Sequence, residues 1–235
     1  MNTWPRKMAQ NLGKYDDLIF CPLDLPNPPE VDIAQFIAWL HEKSANSMLP
    51  RVAFEKYSGK EYPWLSTTIG NGAIELRDSF PTIYEYLKEY PFDSLDHLVV
   101  LAQRGFQPIF IHTDRDWLQG MRFYLTCKNK EGLHFFRGRE KYDEYEPHMM
   151  CADGSVKAPS WNETHFMDDP IYANFPDNHK PFMINSGRAC HAIDPNTCEV
   201  GDRIAFLVRG KINSEKYDQL IERSLAKYGD HAIWY

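Results

Sequence analysis

Three absences narrow the field before any motif is read. The 235-residue chain has no C-x-x-C pair, and its five cysteines (Cys21, Cys127, Cys151, Cys190 and Cys198) are odd in number. That spacing argues against a disulfide framework and against a zinc knuckle. No apolar run approaches the length of a membrane span, and the first residues lack the apolar stretch of a signal peptide. No block of Lys and Arg stands out, and the formal charge is −7. Nucleic acid and membrane are therefore not expected partners. The chain reads as a reduced, cytoplasmic protein, and nothing in it bears on oligomeric state.

What is present is core material. Hydrophobic residues make up 43% of the chain and aromatic ones 14%, enough for a sizeable interior. The first 94 residues carry helix signals. Asp32 can cap a segment to about Ser44 in which Ile33, Phe36, Ile37 and Leu40 recur at helical spacing. Pro81 suits the first turn of a second helix through Ile83, Tyr84 and Leu87, ending before Pro91. Between them, Tyr57 to Gly72 is rich in Gly, Ser, Thr and Pro and reads as loop.

From about residue 95 to 210 the pattern changes to short β-rich runs: Leu98–Ala102, Pro108–His112, Met121–Cys127, Leu133–Phe136, Phe182–Asn185, Ala189–Ile193 and Arg203–Arg209. Gly, Asn and Asp punctuate them, as in a sandwich or double-sheet barrel. A polar insert, 137–180, interrupts the series and is too long for a simple connection. It reads as a cover over a cavity, with Tyr142, Tyr145, Trp161, Phe166 and Tyr172 as entrance aromatics or as self-packed loop. A final amphipathic helix runs from Ser214 to Tyr228 with Tyr217, Leu220, Ile221 and Leu225 on one face. With no repeat or convincing linker, 1–235 reads as one domain: helices on a mainly β core.

Of the nine histidines, only His112 begins an H-x-[DE] triplet, His112-Thr113-Asp114, directly after Pro-Ile-Phe-Ile. Alternate residues of a strand share a face, so one imidazole and one carboxylate can reach one ion. That is two thirds of the 2-His-1-carboxylate triad, which leaves positions open on iron(II). A surface His beside a solvated Asp reads identically, so company matters. His191 alone of the later histidines lies in a β-like run followed by another that opens with arginine. Arg203 comes twelve residues on (203 − 191), room for a hairpin, and shares a strand face with Ala205 and Leu207. A guanidinium among small and apolar neighbours calls for an anion, either a ligand carboxylate held bidentately or a structural partner such as Asp202 or Asp194.

Taken together, His-x-Asp, a distal His on a later strand and an Arg some twelve residues beyond it resemble the Fe(II)/2-oxoglutarate-dependent oxygenase superfamily. The resemblance covers about residues 95 to 210. It implies a double-stranded β-helix, the jelly-roll barrel shared with cupins. It also implies Fe(II) on His112, Asp114 and His191, 2-oxoglutarate with its distal carboxylate on Arg203, and O2 as oxidant. The reaction carried over is oxidative decarboxylation of 2-oxoglutarate coupled to hydroxylation of a small molecule or an amino-acid residue of a peptide. Within the superfamily the chain is nearest to the aspartyl/asparaginyl β-hydroxylase-like group, whose members carry a further Arg on the strand after the first metal His, helping to hold the 2-oxoglutarate. Arg122 stands at that place, so the resemblance implies Arg122 and Tyr124 beside Arg203 as cosubstrate-binding residues, with Arg122, Tyr124 and Thr126 on one strand face and Met121, Phe123 and Leu125 on the other. The chain departs from that group in carrying Asp114 where the group typically has Gly.

Other signals are weaker. His134, His148, His165 and His179 read as surface or cavity-rim residues, His165 with Asp168 and Asp169 being the best rival metal site. Gly70-Asn71-Gly72 does not follow a strand or continue as a dinucleotide fingerprint, and no P-loop, H-E-x-x-H or G-x-S-x-G occurs. Two alternatives remain: a cupin-like metal-dependent protein acting on a small acid or sugar without redox chemistry, and a β-sandwich interaction module with incidental histidines.

Overall fold

The computed structural model describes residues 13–45, 64–69, 73–103, 109–112, 120–126, 132–136, 149–150, 156–157, 170–176, 180–185, 189–193 and 203–235. Its helices follow the sequence signals closely. Helix α1, Ile33–Ala45, starts after Asp32, whose side chain accepts the Gln35 backbone N–H at 3.0 Å while its carbonyl accepts that of Phe36 at 2.9 Å. This is the capping arrangement that satisfies otherwise orphaned donors. A short helix α2, Ile74–Ser79, leads into α3, Pro81–Leu87, with proline in its first turn. Helix α4, Ser214–Tyr228, is capped by Asn213, whose side chain accepts the Lys216 N–H at 3.0 Å.

The rest is mostly β. The strands are β1 Leu18–Pro22, β2 Trp64–Ile69, β3 Phe92–Gln103, β4 Ile109–His112, β5 Gly120–Thr126, β6 Leu133–Phe136, β7 Met149–Met150, β8 Val156–Lys157, β9 Ile171–Tyr172, β10 Phe182–Ile184, β11 Cys190–Ile193, β12 Arg203–Ile212 and β13 Ile233–Trp234. Seven form one sheet in the order β13-β1-β10-β5-β12-β3-β2, and four form another, β4-β11-β6-β9. Strands β7 and β8 pair with each other. Every pairing among the described strands is antiparallel. The pairings nest: β3 with β12, β4 with β11, β5 with β10, β6 with β9.

Strand alternation separates two buried layers. On β5, Met121, Phe123 and Leu125 join Ile204, Phe206 and Val208 of β12 in a core shared with Phe36, Leu40, Ile83, Leu87 and Leu220 of the helices. The rings of Phe123 and Phe206 stack there, 4.6 Å apart and 12° from parallel. On the opposite side, Tyr124, Ala205, Leu207, Phe20, Phe182, Ile184 and, from the smaller sheet, Phe135 form a second cluster. The larger sheet thus carries helices on one face and the smaller sheet's residues on the other.

Three expectations are corrected. Tyr57 to Gly72 is not wholly loop, because Trp64–Ile69 is a strand paired along its length with β3. Its Trp, Thr, Thr and Ile suit a pleated surface, which outweighs the neighbouring Gly and Pro. The sheet also reaches outside 95–210: β1, fully buried, pairs with β10, and β13 pairs with β1. Leu-Ile-Phe-Cys is a short apolar run of the kind a doubly covered strand needs, and Pro22 at its end hid it. Lastly, the pairing of β5 with β12 slips by one residue after Tyr124, so Thr126 falls opposite Ile204 of the helix-side layer. A bulge breaks strict alternation, and Thr126 does not share the face of Arg122 and Tyr124. Among the described residues no helix is long and apolar enough to cross a membrane.

Candidate metal centre

Strand β4 ends at His112, and the ladder sets it directly opposite His191 of β11. Residues directly opposite in an antiparallel pair lie on the same face of the sheet, with Cα atoms about 4.5–5.5 Å apart. On its other side His191 is opposite Phe135 of β6. Phe135 is fully buried in the layer between the sheets, touching the ring of Phe20 at 5.9 Å. The His191 ring lies 6.4 Å from that of Phe135 and is 2% exposed. His191 therefore belongs to the inner face of the smaller sheet, and the register puts His112 on that face too.

Across the gap, Arg122 and Tyr124 project from β5 into the same layer. Arg122 is opposite Leu207 on one side and Phe182 on the other, and Tyr124 is opposite Ala205 with its ring 5.2 Å from that of Phe182. Both are buried, Arg122 at 9% exposure. Arg203 opens β12 opposite Gln103, on the face of Ala205 and Leu207 by alternation.

Asp114 lies outside the described residues, as do His148, His165, His179, Asp168, Asp169 and most of 137–180. Among the described residues no three His, Cys, Asp or Glu side chains gather at one point. Of the three expected ligands, the structure describes His112 and His191, as paired strand positions. Tyr172, expected among the entrance aromatics, is on β9 and 47% exposed.

His134 corrects another expectation. It is buried, not on a rim, and it packs against Phe136 and Tyr172 with ring centroids 5.2 and 5.0 Å away. It is opposite Ala192, so it lies on the outer face of the smaller sheet, away from His191. One ring nitrogen, Nδ1, is 2.9 Å from the Gly132 carbonyl oxygen. Period-two alternation from Phe135 carried that signal, since neighbours on a strand take opposite faces.

No protein-family model matches the chain, and no characterised protein matches it by sequence. Among solved structures, the crystal structure of a Pseudomonas putida prolyl-4-hydroxylase is similar over 85% of this chain and 97% of its own, at 12% identity and a TM-score of 0.41. The functional reading rests on the residues themselves.

Proposed function

We propose that the protein is a non-haem iron(II) dioxygenase that couples oxidative decarboxylation of 2-oxoglutarate to hydroxylation of a small molecule or an amino-acid residue of a peptide. The observation that carries it is the register of β4 and β11, which sets His112 and His191 side by side on the inner face. The nested pairing of eight strands supports a jelly-roll reading, since first-with-last pairing is how two sheets wrap one interior.

The donor set suits the metal. Two imidazoles on adjacent strands, with the Asp114 carboxylate two residues after the first, make an N,N,O set of the borderline kind that iron(II) accepts. Iron(II) with 2-oxoglutarate and O2 would supply the oxidising equivalent for a C–H to C–OH conversion, with succinate and CO2 as co-products. This chain's own residues would do the positioning. Arg203 would hold the distal carboxylate of 2-oxoglutarate, and Tyr124, buried between Ala205 and Phe182, would wall the cosubstrate off from the packed layer. Phe20, Phe135 and Phe182 would keep water from that wall. Asp114 favours hydroxylation over halogenation, because a carboxylate occupies the position a halide would need. The place of Arg122 on the strand after His112 supports the aspartyl/asparaginyl β-hydroxylase-like group as nearest kin.

Anaerobic titration with Fe(II) and then 2-oxoglutarate tests the reading. A weak visible charge-transfer band, absent in His191→Ala, is expected. Metal binding with no response to 2-oxoglutarate would point instead to a cupin-like protein without redox chemistry. Failure to bind any divalent ion would leave an interaction module.

A further inference from the structure

Asn185 is the first residue after β10, and it is 3% exposed. The residues it bonds or adjoins on this side are apolar: Ile19, Ile184 and Ala189 are each fully buried. A primary amide in such company is costly unless it is hydrogen-bonded, and Asn185 is bonded at three points. Its backbone N–H donates to the Ile19 carbonyl at 2.8 Å, and its own carbonyl accepts the Ala189 N–H at 3.2 Å. Its side-chain Nδ2 donates to the Asp16 carbonyl at 2.9 Å. The first bond extends the pairing of β10 with β1 past Ile184 and Phe20. The second closes a turn from Asn185 to Ala189. The third ties that turn to the residues before β1.

The turn is where the chain crosses from the larger sheet to the smaller. Cys190 opens β11 directly after Ala189, and His191 follows it, 2% exposed. The other histidine strand leads to the same place. Strand β4 ends at His112, the chain re-enters the larger sheet at Gly120, and Gly120 is opposite Ile184. Both histidine-bearing strands thus connect to one rung, Gly120 with Ile184, and Asn185 is the residue that leaves it. Six positions (191 − 185) separate Asn185 from His191, so its bonds limit how far β11 can shift. A metal ligand has to be held within about 0.5 Å of its productive place.

We infer that Asn185 is a positioning residue for His191: its side-chain amide, clasped to the Asp16 carbonyl, fixes where β11 enters the smaller sheet and so holds His191 opposite His112. The inference rests on the proposed oxygenase reading and adds to it a residue outside the expected ligand set. Ser224 supplies a comparison. It is fully buried on α4, where its hydroxyl donates to the Leu220 carbonyl at 2.6 Å and accepts the Asp24 N–H at 2.9 Å. It too ties two segments together, but on the helix side of the larger sheet.

The test labels the histidines of the whole, metal-free chain with diethylpyrocarbonate and reads the rate at each by peptide mapping. His134, 4% exposed and on the neighbouring β6, is the internal reference. Asn185→Leu keeps a side chain of similar size in apolar surroundings and removes the donor. His191 should then react on the order of tenfold faster, the size of one lost buried hydrogen bond, while His134 keeps its wild-type rate. Fe(II), titrated anaerobically, should bind that variant on the order of tenfold more weakly. Ser224→Ala should lower the melting temperature and change neither reading. A wild-type His191 rate in Asn185→Leu would overturn the inference, and so would equal acceleration at His134 and His191, which would mean general loosening. Faster labelling of His191 in Ser224→Ala, or wild-type Fe(II) affinity in Asn185→Leu, would overturn it as well. Wild type that binds no Fe(II) fails the oxygenase reading instead, and the labelling still decides whether Asn185 holds His191.

Discussion

His191 of β11 is the cross-strand partner of His112 of β4, and Phe135 of β6 is its partner on the other side. One imidazole position is thereby shared with a second on the same face, against a fully buried aromatic wall.

Replacing either histidine should remove the metal and leave the fold. His112→Ala and His191→Ala are each expected to lose Fe(II) binding by calorimetry or elemental analysis, while far-ultraviolet circular dichroism stays that of wild type. Asp114→Ala should behave likewise. Full metal content in His191→Ala would transfer suspicion to His165 or His179.

For the cosubstrate, Arg203→Ala should weaken 2-oxoglutarate far more than Fe(II). Truncating one partner of an enclosed charge-assisted pair costs roughly 2–5 kcal/mol, on the order of 30-fold to several thousand-fold in Kd. Arg203→Lys should lose part of that. Unchanged affinity in Arg203→Ala would show that the anchor is elsewhere.

Gly210 tests the sheet itself. The register of β12 with β3 shifts between Arg209 and Gly210, and a Cβ at Gly210 would stand 2.1 Å from the Ser94 carbonyl oxygen and 3.1 Å from the Leu95 Cα. Those atoms are backbone, so relief requires moving a strand. Gly210→Ala should cost about 1–3 kcal/mol, as other overpacked sites do. At about 2–4 °C per kcal/mol for a chain of this size, a scanning calorimeter should read a lower Tm. A Tm equal to wild type would mean that β3 yields there at no cost.

Alkaline pH should unfold the protein before its strands are otherwise challenged. Burial pushes the Cys21 thiol up to about 12 and holds the phenols of Tyr86 and Tyr90 above their ordinary range. Unfolded, the thiol ionises near 9 and the phenols near 10, so above those values the unfolded chain releases protons that the folded chain keeps. This stability is whole below about pH 9 and is lost as pH rises toward the folded values, at about 1.4 kcal/mol per pH unit for each group. The urea midpoint should fall from pH 9 to 11, with Cys21→Ala delaying the fall to about pH 10, where the phenols begin to ionise. A midpoint flat over that range would refute it. Native Cys21 should also resist alkylation at pH 8, read by peptide mapping.

Local signals were legible where local physics governs. Asp32, Pro81 and Ser214 mark helix starts because caps and first turns are settled within four residues. The buried set Phe36, Ile37 and Leu40 follows from a 3.6-residue period. Leu133–Phe136 is bounded as its residues suggest. Strands β1 and β2 were not legible, since what stabilises them is pairing with β10 and β3, far along the chain. The burial of His134 was missed because what covers its ring is Phe136 and Tyr172, the second brought beside it by the pairing of β6 with β9 across the long insert.

What the sequence determined by itself is the inventory and its alternation: an imidazole at the end of one apolar strand, another on a later one, and Arg122 with Tyr124 on a face apart from Met121 and Phe123. Only the tertiary structure decided register and level. That His112 meets His191, and that Arg122 of β5 falls opposite Leu207 of β12, depends on hydrogen-bond ladders between residues 79 (191 − 112) and 85 (207 − 122) apart in the chain. A slip of one residue in any ladder would turn every side chain of that strand to the opposite face, and no local propensity encodes that choice.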